Sequence, residues 1–135
     1  MAVFNKFNAY VEHIHEGVHN LQTGQLVVAL TNTLPLAANS VLTDITQIAY
    51  TNLSTRNVTT SASSQTAGTY SLVCTDLVLT ASGAVATFRY AVLYNDTPTS
   101  PADPLIGWYD YGSAVTLANL ETFTVDFGAT VLTAA

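Results

Sequence analysis

The sequence predicts a mainly β protein: an antiparallel β-sandwich, jelly-roll-like, with a short N-terminal helix. Three observations carry this. About seven or eight short β-prone runs are separated by turn signals every 8–12 residues. One of them, Thr87 to Thr97, is apolar on both faces, as a central strand must be. Helical spacing appears clearly in only one place, the first nineteen residues. At 135 residues the chain is one domain, with residues 1–19 as a helical arm or cap.

In chain order, Val3, Phe4, Phe7, Tyr10, Val11, Ile14 and Val18 recur at helical intervals. They predict a helix from about Lys6 to Glu16, capped by Asn5 and ended by Gly17. Leu26 to Leu30 is short, apolar and β-branched, and reads as a buried strand. Asp44 is placed to cap a helical turn running through Thr46 and Ile48. Asn52 to Asn57 is polar loop, and Val58 to Gln65 reads as an exposed strand. Ala67-Gly68 turns the chain into Tyr70 to Cys74. Asp76 marks a bend before Leu77-Val78-Leu79, and Ser82-Gly83 is the next turn. In the central run, Phe88, Tyr90, Val92 and Tyr94 would share one face, and Arg89, Ala91 and Leu93 the other. A loop containing Asn95-Asp96-Thr97-Pro98 leads to its hairpin partner, Leu105 to Gly112. Val115 and Leu117 read as a further short strand. Phe123, Val125 and Phe127 alternate with Thr122, Thr124 and Asp126, and Val131-Leu132 is a last short strand.

Charged residues make up 9% of the chain, against roughly 25% in an ordinary soluble domain. A surface built from Thr, Ser, Asn and Ala needs little desolvation when it is covered, which suits a protein packed against other proteins. The net charge is −6, with Lys6, Arg56 and Arg89 the only cations. Three scattered cations cannot neutralise a phosphate backbone, so no nucleic-acid partner is expected. No run approaches the ~18 apolar residues of a membrane span, and no membrane partner is expected. Lys6, Glu12 and Glu16 interrupt any signal-peptide pattern, so a soluble, non-secreted protein is the expectation. Cys74 sits in an apolar run and reads as a buried thiol.

No cofactor, bound metal or catalytic residue is expected. His13, His15 and His19 lie near Glu12 and Glu16; His15 and His19 would share a helix face with metal-ligand spacing, but a polar or pH-sensitive contact face is the simpler reading. Asp96, Asp103 and Asp110 have the residue type for Ca²⁺, but the first two are equally turn formers. Trp108 points opposite to Tyr109 and Tyr111 on a strand, so the three form no single sugar-stacking platform. Arg89 needs a carboxylate, with Asp110 and Asp126 as candidates. The candidate interface residues are Phe4, Phe7, Tyr10, His13, His15, Arg89 and Trp108.

Three stretches carry a resemblance: Phe88-Arg89-Tyr90-Ala91-Val92-Leu93-Tyr94-Asn95-Asp96, Pro104-Leu105-Ile106-Gly107-Trp108-Tyr109-Asp110-Tyr111-Gly112, and Glu121 to Phe127. With Phe4 to Asn8, Gly17 to Leu21 and Val28 to Thr33, they resemble small structural proteins of tailed bacteriophages, in particular the capsid cement or decoration proteins of short-tailed phages. The resemblance is strongest over 86–127 and weakest at 50–66. It implies a jelly-roll-like fold and a non-enzymatic role on the outer capsid surface of a virion assembled in the host cytoplasm. The implied partners are the major capsid protein and the chain itself. Closed symmetry at a two-fold seam favours a homodimer, then a trimer. A tail or baseplate component, a carbohydrate-binding sandwich module and a small jelly-roll enzyme are the other classes the residues leave open.

Overall fold

The computed structural model of the protein describes residues 2–135. Its elements are β1 (Phe4–Lys6), α1 (Asn8–His15), β2 (Leu26–Thr31), β3 (Asn57–Val58), β4 (Thr60–Thr66), β5 (Thr69–Cys74), β6 (Leu77–Thr80), β7 (Phe88–Asn95), β8 (Leu105–Val115), β9 (Thr122–Val125) and β10 (Leu132–Ala134). A single 3₁₀ turn covers Leu42–Asp44. The strands form an antiparallel sandwich. One layer is the five-stranded sheet β1-β8-β7-β2-β3; the other is built from β10-β5-β4 and the pair β6-β9. β2 and β7 are neighbours in space although β3 to β6 lie between them in sequence, so the chain crosses to the other layer and returns.

The main core lies between the layers. Leu26, Val28, Leu30, Phe88, Ala91, Leu93, Ile106 and Tyr109 face Leu72, Cys74, Leu77, Leu79, Val125 and Phe127. A second core covers the opposite face of the large sheet. There Phe7, Val27, Ala29, Val92, Tyr94 and Leu105 pack with Ile45, and Leu42 and Trp108 close the margin. Every residue of β2 is therefore buried, which explains its unbroken apolar run. Beyond its short pairing with β3, the outer edge of β2 is closed largely by side chains and loop. Arg56 donates from Nη1 to the Val28 carbonyl at 2.7 Å and stacks its guanidinium 3.6 Å over the Tyr50 ring. The Leu30 N–H donates to Tyr50 Oη at 2.9 Å. These contacts satisfy the free edge groups that would otherwise invite pairing with another chain.

The central hairpin β7–β8 forms as the sequence predicts, with β7 in the middle of its sheet. Its facing differs. A bulge between Phe88 and Tyr90 shifts the phase by one residue, so Phe88 joins Ala91 and Leu93 in the main core, while Val92 and Tyr94 enter the second one. Other expectations are corrected. Lys6 does not begin the helix but ends an edge strand, Phe4–Lys6, that pairs with β8, with Phe4 opposite Tyr109. Phe7, not Asn5, holds the N-cap position, in extended backbone and without a side-chain cap. Asp44 ends its turn rather than starting it, and its carboxylate accepts from the Ser40 and Val41 N–H groups at 2.9 and 3.2 Å. Val115 belongs to β8, and Leu117 lies beyond it, in no strand. Gly17 does end the helix: at φ +75°, with Val18 N–H donating to the His13 carbonyl and Gly17 N–H to that of Ile14, it completes a Schellman cap.

Gly107 is what lets β1 dock. A Cβ there would collide with the Phe4 ring and lie 2.6 Å from the Asn5 carbonyl oxygen. Gly107→Ala is expected to loosen β1 and to cost about 1–3 kcal/mol, the range for overpacking a filled site. Hydrogen exchange of the Phe4 to Lys6 amides should quicken more than that of β7; unchanged exchange in β1 would contradict this account.

Candidate functional site

The predicted interface residues do not form one surface. Phe7 is fully buried in the second core, its ring 4.7 Å from that of Trp108, which is itself half-buried. Tyr10 is buried in the main core. Phe7 cannot meet a partner without opening the fold, so at this residue the N-terminal segment is anchored into its own sandwich; Tyr10 packs in the core with one edge at a surface groove. Phe4 is half-buried and edge-on to Tyr109 at 5.5 Å. His15 is exposed, and its Nδ1 donates to the Val11 carbonyl at 2.7 Å, leaving Nε2 free.

Arg89 pairs with Asp110 across the hairpin in a two-pronged contact, Nε to Oδ1 at 2.9 Å and Nη2 to Oδ2 at 3.1 Å. This is the carboxylate the sequence named first. The guanidinium hydrogen bonds and the Gly112 N–H hold the Asp110 carboxyl below its usual range. The pair is well exposed, so its role is to hold register at the sheet surface rather than to supply large stability. Asp110 is thereby spent, at the far end of the hairpin from Asp96 and Asp103, so the three carboxylates do not gather around a cation. Burial, with the neighbouring Asp96 carboxyl, raises the pKa of Asp103.

The most developed polar cluster lies behind α1. Helix α1 ends at His15, so His19 leaves the helix and meets His13, not His15, with ring centroids 6.0 Å apart. His19 is buried and stacks at 5.3 Å on Tyr10. Its Nδ1 lies 3.2 Å from the Asn95 amide. Asn95 Oδ1 accepts from the Thr97 N–H at 3.1 Å, so the Asn95 amide nitrogen faces His19 and donates to Nδ1. The proton of the neutral ring is then on Nε2, which has no partner, and His13 Nδ1 has none either. Burial, helped by His13, lowers the pKa of His19 to about 4. Among the described residues no three metal-ligating side chains converge.

In front of this cluster opens a groove of about 730 Å³. One wall is α1 with β1, including Phe4, Lys6, Tyr10 and Ile14. The other is the inner face of β10-β5-β4, with Tyr70 and Leu132. His15 and His19 line it, and no Asp or Glu does among the described residues. Sequence reasoning named Phe4, Tyr10 and His15 but missed Lys6, His19 and β10 as members of one site. The one legible signal was the Gly17-Val18-His19 turn, which reverses the chain and brings His19 back behind the helix.

A second concavity of about 110 Å³ lies beside Arg89, lined by Tyr111, Phe123 and Asp126. Tyr109 is buried and Trp108 is half-buried against Phe7, so the two do not form a shared exposed platform for a sugar. No helix among the described residues is long and apolar enough to cross a membrane. No protein-family model, curated protein or solved structure matches this chain.

Proposed function

We propose that this chain is a non-enzymatic structural protein that binds the outside of a tailed-phage capsid and stabilises the shell as a cement or decoration protein. Its partners are the major capsid protein and other copies of itself. The observation that carries this reading is the surface. Val3, Leu34, Leu36, Val78, Tyr111 and Leu120 are exposed on a Thr/Ser-rich chain with few charges. Apolar side chains on a neutral background are covered at little desolvation cost, which favours lasting contact with other proteins. The resemblance over residues 86–127 points to the same role. Covering both faces of the central sheet gives a stiff module that would transmit load across a seam between capsomers. Many copies acting together let each contact be modest. Burial of Tyr109 favours this over a carbohydrate-binding module.

The test is to mix the purified protein with capsids assembled without it. Saturable co-sedimentation is expected, and shells should resist heat better. At a hundredfold excess over Kd each occupied site adds about 2.7 kcal/mol to the intact shell. Capsids that neither bind the protein nor gain heat resistance would rule the reading out, and isolated tails would then be the next target.

A further inference from the structure

We propose that the groove between α1 and β10 receives an extended, carboxylate-bearing segment of a partner protein, which pairs its backbone with the free edge of β10. The inference stands on the groove and does not depend on shell binding.

Four observations carry it. First, β10 is an edge strand, and all three of its residues line the groove. Thr133 points away from the inner face that Leu132 and Ala134 share, so its presence in the lining means that the backbone edge itself is accessible there. Free N–H and C=O groups on an edge are a template for an added strand. Second, β1 is the edge of the opposite layer and borders the same groove, so an added strand would fill the gap between the two layers. Third, the edge of β2 is covered by Arg56 and Tyr50, whereas no backbone hydrogen bond reaches the outer side of β10 among the described residues. Fourth, the charge is inverted. On a chain of net charge −6, this groove is lined by Lys6 and His15 with no carboxylate, and the buried His19 presents a proton on Nε2 with no acceptor. Apolar walls, one cation at the rim and an unused donor fit an apolar strand that brings an acidic group. The volume lies within the usual range for pre-formed binding sites.

The probe is a random decapeptide library displayed on beads and selected against the full-length protein. Enriched sequences should alternate β-branched residues and carry Asp or Glu. Binding of a selected peptide should weaken at least tenfold in Lys6→Glu, and also when Val11→Trp crowds the groove. Both residues are exposed, so melting curves should match the parent. Methylating alternate peptide nitrogens on the pairing side should abolish binding, and the Thr133 amide should gain exchange protection in the complex. No enrichment, or peptides indifferent to both substitutions and to methylation, would overturn the proposal. Self-association that Lys6→Glu abolishes, without enrichment of any peptide, would overturn it in favour of a second copy as the occupant.

Discussion

Phe7→Ala is expected to destabilise the protein by about 3–5 kcal/mol, the upper range for large-to-small changes at fully buried aromatic sites. For a domain of this size that lowers the melting temperature by roughly 10–20 °C. Three consequences coincide at this residue. Its ring fills the second core among Val27, Ala29, Val92, Tyr94 and Leu105. It supports Trp108 at 4.7 Å, so its removal leaves a cavity and an aromatic ring without a neighbour. Its backbone also fixes the start of α1: Phe7 N–H donates to the Ile106 carbonyl at 3.1 Å, and the next amide, Asn8, donates to Ala37 at 2.9 Å. A strand-to-helix corner held at both its ring and its backbone has little freedom to collapse into the vacated space. Urea unfolding decides the point, with Phe7→Leu as the graded control, expected to lose less. A loss under ~1 kcal/mol for the alanine variant would mean that the second core does not anchor the arm, and would restore Phe7 as a candidate partner contact.

The residues that mislead the sequence reading are the ones whose environment is set at long range. The β class, the central β7–β8 hairpin, the buried β2 and the Arg89–Asp110 pair are legible because each rests on local alternation or on one obligatory charge partner. The Phe4–Lys6 strand is not legible. Its one apolar residue, Phe4, fits the helical spacing of Phe7, Tyr10 and Ile14, and only pairing with Gly107 and Tyr109, a hundred residues away, makes it extended. The facing of Phe88 is lost for a similar reason: a bulge changes phase without leaving a mark in composition. The second core was not visible because Leu36 to Tyr50 shows no regular period; Leu42 and Ile45 act as its lid only once the sheet beneath them exists. The groove combines three distant segments, of which only α1 announced itself.

The other large effect concerns acid. In the unfolded chain His19 takes up a proton near pH 6.5, but in the folded chain only near pH 4, because burial against Tyr10 and beside His13 disfavours the charged ring. Between these values the unfolded state binds more protons, so stability present above pH 6.5 drains away as the pH falls towards 4. The expected loss across that window is about 3 kcal/mol. Asn95, which faces the ring from the end of β7, offers an amide N–H rather than an acceptor, and the groove side has no carboxylate to shelter a new charge. The exposed Glu12 and Glu16 flank His13 on the outer side of α1 and do not line the groove. His19→Asn keeps an acceptor for Asn95 but removes the titrating ring. It should be less stable at pH 7.5 and lose much less than the parent between pH 6.5 and 4.5. Urea unfolding at four pH values gives both slopes, and the difference between them isolates His19 from the carboxylates that titrate at the lower end. Equal slopes would mean that folding does not shift the His19 titration, and the added proton on Nδ1 would then require the Asn95 amide to turn its oxygen towards the ring. A difference of the expected sign would place the acid-labile point of the molecule at the joint between α1 and the central sheet, directly behind the groove, so that α1 would loosen first and expose Tyr10 and Leu21 before the sandwich itself gives way.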